Sequence, residues 1–159
     1  MSLIFVDCEG HGPCPGLNDT DAFEFGAVEY ASGDAFYSGK GSIASAMQAF
    51  AAWLEKYPKP VFVSDNPAYD WQWINYYFHH YLGYNPMGHS ARRISDFYAG
   101  LQRNWRDTQS WKRWRSPAHN HHPVVDAFGN ANAFRKILER YKLRVPVESS
   151  CPVGPPGDL

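Results

Sequence analysis

The stretch LIFVDCE, residues 3–9, is an apolar run that ends in two acidic residues two positions apart. Such a run predicts a β-strand, and because side chains alternate across a strand, Asp7 and Glu9 project from the same side, roughly 6–7 Å apart. Two like charges at this spacing repel each other unless a cation lies between them. A divalent ion with oxygen ligands fits, and Mg²⁺ or Mn²⁺ is expected. The alternative is a strand that ends in two solvated acids.

The composition predicts one globular domain with no global attraction to nucleic acid. The chain has 159 residues, 44% of them hydrophobic, and a net charge of −1. A chain of this length buries about two thirds of the surface that its unfolded form exposes. Because the net charge is close to zero, any binding of nucleic acid must rest on a local patch of charge. Aromatic residues make up 16% of the chain and can either pack the core or stack on bases.

The cysteines indicate a reducing compartment. Cys8, Cys14 and Cys151 are odd in number and lack the CxxC spacing of zinc sites. Cys8 is expected to point into the core, opposite the two acids. The sequence shows no signal peptide and no apolar run long enough to span a membrane, so a cytoplasmic location is predicted.

Hydrophobic periodicity predicts a mixed α/β architecture, with strands first and then helices that alternate with a central strand. The second and third predicted strands, at 23–31 and 35–39, form a hairpin. A helix with an apolar stripe and Ser42 as its N-cap follows the hairpin. A second helix ends at Gly83, and a third is expected to be capped by Ser95 or Asp96. The predicted elements are strands at 3–9, 23–31, 35–39 and 61–63, and helices at 42–57, 71–82, from about 95, and 124–141.

Two further carboxylates occupy the starts of predicted helices. Asp70 begins the helix after the central strand, and Asp126 begins the last helix, five residues after His121. Helix N-termini favour carboxylates in any case, so each aspartate also has a simple capping explanation. The order of the three patterns, DxE on the first strand, NxxxD after a central strand and HxxxxD at the last helix, is what indicates a shared site.

These three blocks, VDCE at 6–9, NPAYD at 66–70 and HHPVVD at 121–126, resemble the three exonuclease motifs of the DEDDh (DnaQ-like) 3′–5′ exonucleases. The resemblance implies a ribonuclease-H-like fold, a mixed sheet flanked by helices. His122 and Pro123 depart from the small or apolar residues often found around the last motif, but the acid and histidine positions are intact.

A narrower resemblance concerns the compact bacterial and phage 3′–5′ exoribonucleases known from a mycobacterial member. It depends on the small size of the chain and on the run DAFGNA at 126–131. The similarity implies an exonuclease domain over residues 1–144. The segment 145–159 contains several prolines and glycines and few hydrophobic residues, so it is expected to be a loose tail. Homodimers are common in the superfamily, and exposed aromatic residues here would allow one.

The resemblance also implies a two-metal mechanism with Mg²⁺ or Mn²⁺. Asp7, Glu9 and Asp126 would hold one ion, and Asp7 together with Asp70, partly through water, would hold the other. Independently of the family, four acids in one pocket need two divalent ions to approach neutrality.

The predicted general base is His121, because imidazole titrates near neutral pH. His119 and His122 are close enough in sequence to take that role instead, and His121 is preferred only for its five-residue offset from Asp126. The simpler alternative is three polar histidines on a surface turn.

Contacts to the substrate are predicted on both sides of this site. The stretch 103–115 alternates cations with indoles, which can pair with phosphates and stack on bases. Its tryptophans could equally pack under a loop while the arginines are solvated. Asn130 could orient a ligand or be an exposed helix position. The predicted substrate-binding residues are Gly10, His11, Asn66, Arg113 and Arg115.

The predicted function is a metal-dependent 3′–5′ exonuclease that releases nucleoside 5′-monophosphates from single-stranded 3′ ends, with RNA preferred over DNA as the substrate. The alternatives are a 3′–5′ exodeoxyribonuclease and a binding module for single-stranded nucleic acid without turnover. No residue in the sequence marks a contact to the ribose 2′-hydroxyl, which would discriminate RNA from DNA.

Overall fold

The computed structural model describes residues 1–10, 12–16 and 23–145, and its centre is a five-stranded mixed sheet. The strand order is β3-β2-β1-β4-β5. β2 and β3 form an antiparallel hairpin beside β1, whereas β4 and β5 run parallel to β1. The strands are β1 Ser2–Glu9, β2 Glu24–Glu29, β3 Ala35–Tyr37, β4 Pro60–Ser64 and β5 Ala91–Arg93.

Within the described ranges four α-helices flank the sheet, as in a ribonuclease-H-like α/β fold, so the predicted fold class is confirmed. The side chain of Ser42 accepts a hydrogen bond from the Ser45 N–H and caps the first helix, as predicted. Gly83 ends the second in the left-handed conformation that glycine adopts without strain. The helices are α1 Ile43–Leu54, α2 Pro67–Leu82, α3 Ile94–Leu101 and α4 Pro123–Arg140, with a short 3₁₀ helix at Ser110–Trp114.

The alternation along β1 divides the core into two layers. Ile4, Val6 and Cys8 pack against α1 and α2 on one face, and Cys8 is buried as predicted. Leu3 and Phe5 pack on the other face, against α3 and α4. Asp7 and Glu9 continue this second row of odd positions, so they project toward the side that α4 covers.

Apart from shifted element ends, of which the largest is at α2, which begins at Pro67 and not at residue 71, three features differ from the pattern-based prediction. β5 was missed because its sequence, Ala-Arg-Arg, has no apolar run, as is common at a sheet edge. The 3₁₀ helix was missed because its five residues are too few to show a period. The predicted capping of α3 is wrong: Arg93 is its N-cap residue, and the Ser95 hydroxyl instead donates to Asp65.

None of the helices in the described ranges is long and apolar enough to cross a membrane. The predicted tail at 145–159 lies outside the described residues except for its first position.

Candidate metal centre

The site forms at the sheet edge where the parallel strands β1 and β4 end. β1 delivers Asp7 and Glu9 in its last three residues. β4 leads within a few residues into α2, whose first turn carries Asp70. Carboxyl ends of parallel strands are the usual place for sites in α/β folds, because the loops that follow converge there. The fourth acid, Asp126, comes from the first turn of α4, which packs across β1 and β2.

Gly26 allows α4 to reach this position. It pairs with Asp7 across the β1–β2 ladder, and a Cβ atom there would lie 2.3 Å from the Val124 backbone nitrogen. No side chain fits in such a gap, so the start of α4 rests directly on the β2 backbone. The sequence analysis did not single out Gly26, although a glycine in an apolar strand can indicate a close backbone approach.

Three carboxylates meet at this point. Asp7, Glu9 and Asp126 each offer an oxygen within 4.8 Å of the others. A set of three carboxylate oxygens is the donor chemistry that Mg²⁺ and Mn²⁺ prefer. The triad can therefore hold a divalent ion, and the residues match those that the resemblance implied for one of the two metals.

Burial and crowding of like charges shape the titration of the acids. Burial, followed by the charges of Asp70, Asp126 and Glu9, raises the pKa of Asp7 to about 9. Burial also raises the pKa of Asp70 to about 7. Asp70 lies outside the triad but close beside it: its Oδ1 accepts from the Cys8 N–H at 3.2 Å. Burial and mutual repulsion oppose ionisation of these acids, so a divalent cation bound between them would stabilise their ionised forms.

Asp126 is held by the loop that precedes α4. Its two oxygens accept the backbone N–H groups of Asn120 and His121, each at 3.0 Å. The Nδ1 atom of His119 lies 2.7 Å from Oδ2. These donors fix the orientation of a carboxylate that is 1% exposed.

The three histidines of this loop have different surroundings. His119 pairs with Asp126, and His121 places its Nδ1 atom 3.5 Å from Oε1 of Glu9. The side chain of His121 is 75% exposed, and its backbone has a φ of +61°. His122 packs on the Tyr37 ring, 5.1 Å between centroids, and its buried Nδ1 has no hydrogen-bond partner among the described residues. Two of the three histidines are thus brought to the acids, which disfavours the alternative of a merely polar turn.

The predicted substrate-binding residues differ in their position relative to the site. Gly10 and Asn66 border it, and Arg113 lies farther along the chain. Gly10 follows Glu9, and its carbonyl accepts the Tyr69 hydroxyl at 2.8 Å. Asn66 is an exposed N-cap residue of α2 that forms no side-chain cap hydrogen bond. Arg113 is exposed and lies over the Trp114 ring at 5.1 Å. His11 falls outside the described residues.

Arg115 has a different environment from the solvent-facing phosphate contact that was predicted. Its side chain is 9% exposed and stacks over the Trp111 ring at 5.1 Å. Its Nη2 lies 2.9 Å from Oδ2 of Asp65, and its Nε donates to Oδ1 of Asn130 at 2.8 Å. Asn130 is fully buried, so the alternative of an exposed helix position is wrong.

The cation and indole stretch combines both interpretations offered for it. Trp111 is fully buried, while Trp105 is 83% exposed. Lys112 pairs with Asp65 at 2.7 Å and joins the cluster around Arg115. The end of the stretch, around Trp111, therefore packs against the protein. The beginning, around Trp105, is free to stack on a base. Asp65 was not selected from the sequence, although its position directly after β4 and five residues before Asp70 was visible there.

The chain is detectably related to a known protein. Over 110 residues the chain is 38% identical to the 3′–5′ DNA exonuclease Cap18 of Escherichia coli. The match covers 62% of this chain and 59% of Cap18, so the chain spans less than two thirds of that relative's length. No protein-family model matches the chain.

Proposed function

We propose that this chain is a metal-dependent 3′–5′ exonuclease that hydrolyses phosphodiester bonds at the 3′ ends of single strands. The observation that carries the proposal is the convergence of Asp7, Glu9 and Asp126 within 4.8 Å at the end of β1. Homology to a 3′–5′ DNA exonuclease supports the same chemistry. We assign the catalytic domain to residues 1–144, with Asp7, Glu9, Asp70, His121 and Asp126 as its catalytic residues.

Asp7, Glu9 and Asp126 would hold one divalent ion, and Asp7 with Asp70 a second. Bound there, Mg²⁺ or Mn²⁺ would offset the charge of the phosphodiester and lower the pKa of the attacking water. The role of the protein is to keep four acids in place at a cost in charge repulsion. The backbone donors of the 120–121 turn and the His119 ring hold Asp126 in one orientation.

His121 is the proposed general base. Its side chain is 75% exposed, so that water can reach it, and its Nδ1 lies 3.5 Å from Oε1 of Glu9. An imidazole is the side chain best suited to accept a proton near neutral pH. As it takes the proton, the water oxygen bonds to phosphorus and the bond from phosphorus to the 3′ oxygen of the penultimate nucleotide breaks. The departing 3′ oxygen takes up a proton from solvent. The products are a nucleoside 5′-monophosphate and a strand with a new 3′-hydroxyl.

DNA is the first substrate to test. The homologue is named a DNA exonuclease, which favours the exodeoxyribonuclease alternative over the preference for RNA that the narrower resemblance suggested. A preference for RNA would need a contact to the 2′-hydroxyl. His11 and the other residues directly after Gly10 are where that contact would be sought, because they adjoin Glu9 in sequence.

The test is a degradation assay on 5′-labelled single-stranded DNA and RNA of one sequence, with Mg²⁺, Mn²⁺ or EDTA. A ladder that shortens from the 3′ end, requires metal and is lost in Asp126→Asn supports the proposal. Asp96→Asn is the matched control, because this half-exposed aspartate pairs only with Arg93 at 3.3 Å among the described residues and is remote from the triad in sequence. Binding of the strand without shortening would instead indicate a binding module.

A further inference from the structure

Arg115 connects the segment between β4 and α2, which leads into Asp70, to α4, which carries Asp126. Its Nη2 reaches Asp65 at the end of β4, five residues before Asp70. Its Nε reaches Asn130 on α4, one helical turn after Asp126. We propose that Arg115 is a positioning residue that sets the spacing between Asp70 and Asp126, and is not a contact for the substrate phosphate. This inference rests on the proposed function.

The planar guanidinium is suited to such a bridge. Two of its nitrogens point in fixed directions, so it can bond a carboxylate and an amide on different elements at once, which the single ammonium of lysine does less well. Stacking on the buried Trp111 ring fixes the plane of the group. Asp65 is fixed in turn, because its other oxygen accepts the Ser95 hydroxyl at 3.3 Å.

The Arg115 side chain has little capacity left for a substrate. It is 9% exposed, and its Nε and Nη2 are both engaged. Its charge nevertheless acts on the site: it is among the groups that lower the pKa of Asp7.

Asn130 completes the argument from the side of α4. It is fully buried, and its Nδ2 has no hydrogen-bond partner among the described residues. Burial of an amide is costly unless its groups are bonded, so the Arg115 bond to Oδ1 offsets part of that cost. Asparagine at this position is hard to explain by packing, since leucine would fill similar space without a polar group.

The test uses two substitutions that keep the net charge, so that changes in metal affinity report geometry and not charge. Arg115→Lys removes the fork, and Asn130→Leu removes its acceptor. Arg92→Lys is the matched control, because Arg92 is exposed on the edge strand β5. Mn²⁺ binding to the full-length protein is measured by calorimetry, and kcat and KM are measured on single-stranded DNA and RNA.

Both substitutions are expected to weaken Mn²⁺ binding about 10- to 100-fold, as is usual when a group that orients metal ligands is lost. They should lower kcat with KM changed less than about 2-fold. The double variant should lose no more Mn²⁺ affinity or kcat than the more impaired of the two single variants, because both changes break the same link. Arg92→Lys should behave as the unsubstituted protein.

Three results would overturn the proposal. Unchanged Mn²⁺ affinity in both variants would show that the bridge does not position the acids. A raised KM at constant kcat and constant Mn²⁺ affinity for Arg115→Lys would identify a phosphate contact. Additive losses in the double variant would show two independent roles. If no strand is shortened even by the unsubstituted protein, the proposed function fails, but the Mn²⁺ measurements still decide the role of Arg115.

Discussion

Gly26 of β2 lies so close to Val124 of α4 that a Cβ atom on the glycine would be 2.3 Å from the Val124 nitrogen. Because Gly26 pairs with Asp7 and Val124 is two residues before Asp126, this contact sets the separation of two acids that belong to distant parts of the sequence. Backbone atoms cannot move aside as the end of a flexible side chain can. The absence of one side chain therefore determines where α4 begins relative to β1.

Gly26→Ala is expected to lift the start of α4 from the sheet and to separate Asp126 from Asp7 and Glu9. Overpacking of this kind costs about 1–3 kcal/mol of stability. Thermal unfolding should show that loss, and Mn²⁺ binding and nuclease activity should each fall at least about 10-fold, as when ligand orientation is lost. Gly41→Ala is the control, since a Cβ there meets no atom of the described residues within 4 Å. A Gly26→Ala protein with the metal affinity of Gly41→Ala would contradict this view of the contact.

The two histidines beside the acids should separate into different kinetic roles. His121→Asn removes the proposed base and should lower kcat by about 10²- to 10⁴-fold with little change in Mn²⁺ affinity. His119→Asn removes a side-chain donor to Asp126 and should mainly weaken Mn²⁺ binding, by about 10- to 100-fold.

The control for both histidine variants is His89→Asn, an exposed histidine outside this loop. The opposite pattern, with full turnover in His121→Asn and none in His119→Asn, would transfer the role of base to His119. Its pairing with Asp126 through Nδ1 leaves Nε2 available to accept a proton.

How far the sequence determines this site can be judged from particular residues. Asp7 and Glu9 were predictable because strand alternation fixes their common side, and Asp70 and Asp126 because hydrophobic periodicity places each of them at the start of a helix. The environment of Arg115 was not predictable, because its partners Asp65 and Asn130 lie 50 and 15 residues away and show no local period. β5 was missed for a similar reason: its pairing with β4 supplies a stability that three residues of its own do not signal.

Trp105 tests whether the 103–115 stretch contacts the substrate. Since the residue is 83% exposed, Trp105→Ala should leave the melting temperature unchanged. If its ring stacks on a base, KM for a long single strand should rise about 5- to 150-fold, corresponding to about 1–3 kcal/mol per base. Tyr84→Ala, a substitution at another exposed aromatic residue, should not change KM. Equal KM values for both variants would show that Trp105 does not contact the substrate.

The raised pKa values of Asp7 and Asp70 predict how pH and metal act together on stability. Both pKa values exceed the ordinary value of 3.8, so the folded, metal-free protein keeps protons that the unfolded chain releases. The contribution of these groups is fully present below about pH 4 and is lost as the pH rises through about 7 and then 9. A divalent ion replaces the lost protons, so the gain in melting temperature on adding Mg²⁺ in place of EDTA should be larger at about pH 8 than at about pH 6.

Asp7→Asn removes the most perturbed acid and should raise the melting temperature in EDTA at about pH 8 by at least 2–4 °C, roughly the shift for 1 kcal/mol in a chain of this size. The same variant should lose the gain from Mg²⁺, because a site that binds metal is stabilised less when one of its ligands is neutral. An Asp7→Asn protein that is less stable than the unsubstituted protein in EDTA would mean that repulsion among the acids does not govern the stability of this pocket.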